Sequence, residues 1–316
     1  MSDDRPVLGI FLMLGFCVVA PLGDAVAKLL GGYIPLGELL FARFAVQVLA
    51  LAPLIFLTGR QNRIPALLKG RPLRLTLWRT ALHIVGIGAM FTALKYLPLA
   101  DAVAIAFVMP FIMLLLGRFV LNEEVGIRRI TACAVGFAGT LMVIQPSFAE
   151  VGLPALWPLL VAVVFALFML VTRQLARDTD PIALQAVSGV FATAILTPAL
   201  LIGHSAGFEG LSFVWPDLQT FWLLLAIGLL GTLGHLLMTW ALRYAPSATL
   251  APMQYLEIPV ATTIGWLIFH DLPDGLSAIG ICVTIGAGLY VILREQATAR
   301  LRAAQQNPSA KSRMPG

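Results

Sequence analysis

The sequence predicts an all-α integral membrane protein, with ten transmembrane helices arranged as two inverted five-helix repeats. Three observations support this fold: the composition, the spacing of apolar segments and an internal repeat. The 316 residues are 59% hydrophobic and only 12% charged, and the mean hydropathy is +0.91. A soluble domain carries about 25% charged residues, so this composition is too apolar for a water-facing surface.

Apolar segments follow one another along almost the whole chain. Each has close to the length of about 20 residues that spans a bilayer core, except the fifth, which is shorter. Short polar turns separate them, and no gap is long enough for a soluble domain. The ten segments cover about residues 7–30, 36–57, 74–95, 99–120, 129–145, 154–173, 182–202, 220–242, 247–269 and 275–293.

One short sequence occurs twice. Residues 93–98 read A-L-K-Y-L-P and residues 241–246 read A-L-R-Y-A-P, with start points 148 residues apart. A repeat of this length in an apolar chain is typical of duplicated membrane bundles. Each copy continues with a proline, an acidic turn and a Gly-rich segment: Pro110, Glu123-Glu124 and 129–145 in the first copy, and Pro259, Asp271 and 275–293 in the second.

The repeat divides the chain into residues 1–148, with helices one to five, and residues 149–293, with helices six to ten. Residues 294–316 form a polar tail that we expect in the cytoplasm. Because five is an odd number, the second copy must enter the membrane in the opposite direction. Sites in such folds lie near the bilayer midplane, where the two halves meet.

The basic residues give the orientation. The net charge is +5, but 16 of the 21 Lys and Arg fall in one set of loops and tails, and Lys95 alone falls in the other set. Cytoplasmic loops of membrane proteins carry such an excess, so the pattern places both termini in the cytoplasm and does not indicate a nucleic-acid partner. The 16 residues are Arg5, Arg60, Arg63, Lys69, Arg71, Arg74, Arg128, Arg129, Arg173, Arg177, Arg243, Arg294, Arg300, Arg302, Lys311 and Arg313.

No enzyme motif occurs in the sequence. We find no HExxH, GxSxG or Walker sequence, and the three cysteines and four histidines show no spacing of metal ligands. The expectation is a protein that is not an enzyme and that has no metal or other cofactor.

The ninth apolar segment holds the densest group of intramembrane polar residues. Gln254, Tyr255 and Glu257 lie between Pro252 and Pro259. An ionisable group at the centre of a membrane helix costs roughly 2.5–3.5 kcal/mol, and proline leaves backbone carbonyls free for a cavity or a substrate. We predict that Gln254, Tyr255 and Glu257 bind substrate and that Glu257 carries a proton. The alternative is a structural Glu257 that pairs with a neighbour such as His235.

Other polar and aromatic side chains are weaker candidates for the same site. Arg43 can present its planar fork to a carboxylate or phosphate, and a structural ion pair is the alternative. Arg79 is expected to reach the cytoplasmic surface, and Asp24 either pairs with Lys28 four residues on or lines the pathway. The further predicted substrate-binding residues are Gln47, His83, Phe107 and Trp240.

These features resemble the EamA branch of the drug/metabolite transporter superfamily, over about residues 7–293. The resemblance rests on the repeated A-L-x-Y-x-P turn, the acidic turn after each fourth helix and the Gly-rich fifth helices. In the first copy, Lys28 and Arg43 match a Lys and an Arg that are frequent in the family. The resemblance implies a secondary transporter of the bacterial inner membrane, in a family whose members export amino acids and other metabolites.

The expected function is therefore export of a small polar or amphipathic, amino-acid-like metabolite by alternating access. A first alternative is uptake of a vitamin or nucleobase-like compound such as riboflavin. From a different class, a membrane-embedded enzyme or scaffold would need a catalytic arrangement at one membrane face. The expected partners are the substrate and the lipid bilayer, and a homodimer is left open.

The charge pattern makes a testable topology prediction. Reporter fusions after Pro315 and within residues 205–215 should report opposite sides of the membrane, because seven predicted helices precede the second site and ten precede the first. Two fusions that report the same side would show that the count of ten helices is wrong.

Overall fold

The computed structural model describes residues 5–122, 126–273 and 275–306, and within these ranges the chain is helical and contains no β-strand. The predicted acidic turn Glu123-Glu124 and the last ten residues of the predicted tail, 307–316, lie outside the described residues. The main helices are α1 (Pro6–Leu30), α2 (Leu36–Leu57), α3 (Gly70–Ala93), α4 (Leu99–Leu121), α5 (Ile127–Val151), α6 (Trp157–Ala176), α7 (Pro181–Ser205), α8 (Leu218–Tyr244), α9 (Glu257–Phe269) and α10 (Gly275–Gln306).

Seven helical segments within the described ranges are long and apolar enough to cross a membrane: α1, α2, α4, α5, α6, α7 and α8. Of the others, α9 has only 13 residues, and in α10 the apolar part found among the described residues is the shorter stretch Gly275–Tyr290. Length and composition therefore identify a multi-pass membrane protein, and the count of ten spans stays a prediction.

Two helices extend beyond the apolar segments that predicted them. α5 continues past residue 145 to Val151, where the hydroxyl of its polar residue Ser147 donates to Asp101 Oδ2 at 2.9 Å inside the bundle. α10 continues past residue 293 to Gln306, into the first part of the predicted polar tail. Residues 294–306 are rich in Arg, Ala and Gln, which are strong helix formers.

Two of the predicted segments, each interrupted by proline in the sequence, are broken near their centres. α4 consists of Leu99–Ala106 and Met109–Leu121, and Pro110 cannot supply the backbone N–H that would bridge the break. The predicted helix 247–269 consists of a short helix Ser247–Leu250, a 3-10 stretch Ala251–Leu256 and then α9. Glu257 was expected in mid-helix but is the first residue of α9.

The helix contacts are reciprocal between the two halves of the chain. α1 packs along α8, and α3 packs along α6. If each helix of the first half is replaced by its counterpart in the second half, and the reverse, the contact between α1 and α8 becomes the contact between α6 and α3. The contacts of α2 with α7 and of α5 with α10 are unchanged by the same exchange.

Glycine sets the close approach of α5 and α10. A Cβ on Gly280 would lie 2.5 Å from the carbonyl oxygen of Gly139, a distance that two atoms cannot adopt without a backbone shift. Small residues of this kind allow close packing in lipid, where burial of apolar surface does not drive helices together. The two helices therefore form a tightly packed pair.

Candidate functional site

A cavity lies in the middle of the bundle, between α1, α2, α3, α4, α6, α8 and α9. Its space for water measures about 80 Å³, whereas pockets for drug-sized ligands measure about 300–1,000 Å³. The cavity is therefore narrow in this conformation. It is lined by Phe16, Val19, Ala20, Gly23, Asp24, Arg43, Ile87, Met90, Val103, Ala106, Phe107, Met109, Val161, Phe165, Leu230, Gly231, Gly234, His235 and Glu257.

The polar part of the wall holds two carboxyl groups and one guanidinium. Asp24 of α1 lies within electrostatic reach of Arg43 on α2 and of Glu257 on α9, although none of the three forms an ion pair with another described residue. Glu257 is buried, and no hydrogen bond from the described part of the chain reaches its carboxyl group. Charges of this kind inside a membrane protein face its interior or a water-filled cavity and mark a pathway.

α8 fixes the position of the Arg43 side chain. Its guanidinium lies directly against Gly231, where a Cβ would overlap it, and one of its terminal nitrogens donates to the Ile227 carbonyl at 3.4 Å. Among the described residues, Arg43 Nε has no hydrogen-bond partner. A guanidinium has five N–H groups, so most of those of Arg43 remain available as hydrogen-bond donors at the cavity wall.

Two buried histidines meet behind the cavity. His83 Nε2 lies 3.1 Å from His235 Nε2, so one of these nitrogens must carry a hydrogen while the other accepts it. Phenylalanine rings surround the pair: Phe44 and Phe168 lie against His83, and Phe16 lies against His235. His235 also lines the cavity, whereas His83 does not.

Arg79 is fully buried, so the prediction that it reaches the cytoplasmic surface was wrong. Its guanidinium donates to Thr172 Oγ1 at 3.0 Å, Ser188 Oγ at 2.7 Å and Gln185 Oε1 at 2.8 Å. It also lies 4.7 Å from the centre of the Phe168 ring. Neutral acceptors on α6 and α7 thus hold a buried charge, which explains why the side chain does not extend to the interface.

Of the predicted binding residues, Arg43, Phe107 and Glu257 line the cavity. The others lie elsewhere in the packing. Gln47 exchanges hydrogen bonds with Gln185 on α7, and Trp240 packs on the apolar cluster around Leu51.

Gln254 and Tyr255 also point away from the cavity. Gln254 Nε2 donates to Met169 Sδ at 3.2 Å, and the Tyr255 hydroxyl lies against Gly136 of α5. The 3-10 stretch that precedes α9 turns these two side chains away from the face on which Glu257 lies.

The sequence offered weaker signals for two residues of the wall. Asp24 was expected either to pair with Lys28 or to line the pathway, and the structure places Asp24 at the cavity and Lys28 elsewhere. His235 was considered only as a partner of Glu257. The signal for Asp24 was a carboxyl group inside a membrane segment. The signal for His235 was a histidine within the Gly-rich centre of α8.

Lys28 joins neighbouring segments at one end of the bundle, which we call the Lys28 end. Its ammonium group donates to the Leu97 carbonyl at 2.9 Å and lies 3.3 Å from Asp271 Oδ2. Leu97 belongs to the first copy of the repeated turn, and Asp271 follows α9. Lys28 therefore joins α1 to the chain just before α4 and just after α9. Phe107 belongs to α4, and Glu257 belongs to α9.

A similar contact lies at the opposite end of the bundle, the Arg173 end. Arg173, near the end of α6, donates to the Leu242 carbonyl and, at 3.4 Å, to the Arg243 carbonyl. Both carbonyls belong to the second copy of the repeated turn. The last carbonyls of a helix have no partner within the helix and attract cations, which accounts for Arg173 beside the end of α8.

The fold and the cavity define a multi-pass helical membrane protein with a polar site at its centre. The chain belongs to the EamA-like transporter family, which matches residues 7–145 and 152–294. This match confirms the resemblance stated from the sequence. Within the described residues, no group of three or more His, Cys, Asp or Glu side chains could hold a metal ion.

Three relatives are named as transporters. The chain is 27% identical to a riboflavin transporter of Brucella anthropi, over 84% of this chain and 91% of the relative. It is 26% identical to an S-adenosylmethionine uptake transporter of Rickettsia bellii, over 92% and 94%. It is 28% identical to a pseudopaline exporter of Pseudomonas aeruginosa, over 88% and 91%. These names point to transport and away from enzymes, and they include both directions.

A solved crystal structure shares the fold. It superimposes with a TM-score of 0.66 over 94% of this chain and 99% of the other, at 18% identity. At this identity the likeness concerns the fold alone.

The Arg79 network makes a testable prediction. Arg79→Gln should lower the free energy of unfolding by about 2 kcal/mol or more, because buried hydroxyl and amide acceptors lose their donor. Thermal unfolding of the purified protein in detergent measures the effect. Arg118→Gln, a change at an exposed arginine of α4, is the control and should leave the midpoint unchanged. An equal midpoint in both variants would show that the Arg79 network does not stabilise the fold.

Proposed function

We propose that the chain is a secondary active transporter that moves a small, amphipathic, amino-acid-like metabolite across the bacterial inner membrane. The observation that carries this proposal is the central cavity, where Asp24, Arg43 and Glu257 share a wall with aromatic side chains. Sites for small molecules are mostly apolar with a few polar groups that fix orientation. The family and the names of the relatives support transport as the activity.

Alternating access is the proposed mechanism, with the chain arranged as ten spanning segments in two inverted repeats. The reciprocal packing of α1 on α8 and of α3 on α6 supports this arrangement. The Lys28 contact and the Arg173 contact then act as closures of the two ends of one pathway. A substrate that enters from one side must break the closure on that side while the other remains formed.

The orientation follows from the charge pattern of the loops. Both termini are in the cytoplasm in this proposal, so the Lys28 end faces outward and the Arg173 end faces inward. The cavity lies nearer the Lys28 end, since it is lined by residues from the second half of α1 and the first half of α6. In this proposal Glu257 lies between the two closures, and it binds either a proton or the substrate during the cycle.

Export is the favoured direction, by analogy with the exporter among the relatives. Uptake of a ring compound is the second candidate, favoured by relatives named for riboflavin and S-adenosylmethionine and by the aromatic cavity wall of Phe16, Phe107 and Phe165. A membrane-embedded enzyme or scaffold is a third class, without a catalytic arrangement to support it in the described residues.

Transport by the purified protein in liposomes tests the proposal. Labelled amino acids, riboflavin and S-adenosylmethionine are supplied in turn, with and without a pH gradient and in both directions. At least one compound should accumulate above protein-free liposomes. Transport of none of them, by protein that is folded and inserted, would contradict the proposed substrate classes.

Glu257→Gln separates charge from packing, because glutamine keeps the size of the side chain and removes the titratable group. We expect the variant to fold and insert normally but to lose transport, or to lose the dependence of transport on pH, because the carboxyl group binds substrate or a proton during the cycle. The liposome assay over a range of pH measures this.

The matched control is Glu150→Gln, which changes an exposed glutamate of α5 and should transport like the wild type. If Glu257→Gln transports normally at every pH, Glu257 is a buried structural residue and its assigned role is wrong.

A further inference from the structure

A second pocket lies at the Arg173 end of the bundle, between the start of α3, the end of α4 and the end of α6. Its space for water measures about 280 Å³, compared with about 80 Å³ in the central cavity. Three arginines line it, Arg71 on α3, Arg173 on α6 and Arg177 directly after α6, and we call it the arginine pocket. None of its described lining residues also lines the central cavity, so the two sites are separate.

The charge of the arginine pocket favours an anion. Among the described residues of its wall, three guanidinium groups are accompanied by one carboxyl group, that of Asp178. Arg71 and Arg177 are exposed, and neither forms an ion pair with a described residue. Arg71 donates from one terminal nitrogen to Gln174 Oε1 at 3.1 Å, which leaves most of its five N–H groups for a ligand.

The first turn of α3 brings backbone donors to the same pocket. Arg71 and Pro72 of this turn line the wall, and the residue that precedes it, Lys69, makes no side-chain hydrogen bond to the turn. The first N–H groups of a helix have no partner within the helix. Together with the helix dipole they favour a negatively charged group such as phosphate.

The ordinary reasons for basic residues at a helix end do not explain the whole pocket. Cations stabilise the last carbonyls of a helix, which accounts for Arg173 and Arg177 at the end of α6. The same dipole makes a cation unfavourable in the first turn of a helix, where Arg71 lies. A bound anion removes this disadvantage, because it lies between the arginines and the start of α3.

The rest of the wall is apolar. Pro72, Leu75, Leu121 and Leu175 line the arginine pocket beside the charged side chains. In the proposed orientation this end of the bundle faces the cytoplasm. Basic pockets between membrane helices on that side suit the headgroups of anionic lipids, whose glycerol and acyl chains would contact the apolar part.

We infer that the arginine pocket binds a phosphate group of net negative charge, held by Arg71 and Arg177 at the start of α3. An anionic phospholipid or a soluble phosphate can supply this group, because a guanidinium binds the same oxygens in both. Arg173 lines the pocket and also donates to the Leu242 carbonyl, so the bound phosphate lies beside the Arg173 contact. The inference concerns a site outside the central cavity and does not depend on which compound is transported.

Three probes separate the sources of the phosphate group. Dihexanoyl phosphatidylglycerol is the anionic lipid, dihexanoyl phosphatidylcholine is a zwitterionic lipid with the same chains, and inorganic phosphate at constant ionic strength is the soluble source. Their affinities for the full-length protein in a neutral detergent are measured from the shift in thermal unfolding midpoint. A lipid source predicts that phosphatidylglycerol binds at least about tenfold more tightly than phosphatidylcholine, the size expected for charge-assisted hydrogen bonds. A soluble source predicts that inorganic phosphate binds.

A double variant, Arg71→Gln with Arg177→Gln, tests the location of the site. It should bind the active probe at least about tenfold more weakly than the wild type, because two of the guanidinium groups at the phosphate are lost. The matched control is Arg63→Gln with Arg74→Gln. It removes two positive charges from exposed positions of the same end that do not line the pocket, and it should keep the wild-type affinity.

Binding of phosphatidylglycerol or of inorganic phosphate, weakened only in the variant of Arg71 and Arg177, supports the site and identifies its source. The inference is overturned if neither probe binds the wild-type protein, or if phosphatidylcholine binds as tightly as phosphatidylglycerol while inorganic phosphate does not bind. These two outcomes need only the wild-type protein, so they decide the matter even if a variant does not fold. Equal affinity in the two double variants also overturns it, since binding would then not depend on this pocket. The assay contains no transport step, so the proposed transport function is tested separately.

Discussion

The absence of water in a bilayer is the constraint on which the rest of this structure depends. Lipid offers no hydrogen-bond partner, so each charged side chain in the spanning region must find one inside the protein or in a cavity. Arg79 meets this requirement with three neutral acceptors on neighbouring helices. Arg43, Asp24 and Glu257 meet it only in part, and for that reason they are the residues at which we propose that a substrate is recognised.

The same constraint gives the repeated turn a structural role. Helices that end within the membrane region leave carbonyl groups without partners. Lys28 binds a carbonyl of the first copy of the turn, and Arg173 binds two carbonyls of the second copy. Because each basic residue lies at the end of another helix, the contact also joins two walls of the cavity. We therefore propose that one interaction both stabilises the turn and closes one end of the pathway.

Composition and periodicity were enough to predict the class of protein, since apolar segments of spanning length have few other uses. The family followed from the repeated turn and the Gly-rich segments, and its match over residues 7–145 and 152–294 confirms it. Glu257 and Arg43 were predicted as site residues because an intramembrane charge needs a reason, and both line the cavity. Their roles remain predictions.

The direction in which each side chain points could not be predicted from the sequence. The break before α9 depends on where the prolines interrupt the backbone, and it decides that Glu257 faces the cavity while Tyr255 faces α5. The contact between His83 and His235 joins residues 152 positions apart, with no spacing that reveals it. Arg79 was placed at the surface because no acidic partner was near in the sequence, whereas its actual partners are neutral groups on distant helices.

The central claim is that the Lys28 end must open and close during transport. A double variant, Lys28→Cys with Asp271→Cys, in a background without the three native cysteines, allows that end to be locked by a short thiol-reactive cross-linker that contains a reducible bond. A cross-linker is needed because the contact is made by the far end of a long side chain, and a direct disulfide requires Cα atoms within about 7 Å of each other. The compound that the wild-type protein transports best is followed in liposomes before and after reduction, with each single variant as a control. We predict that cross-linked protein does not transport and that reduction restores transport in the same sample. Equal transport in the cross-linked and reduced states, with the cross-link shown to be formed, would contradict this prediction.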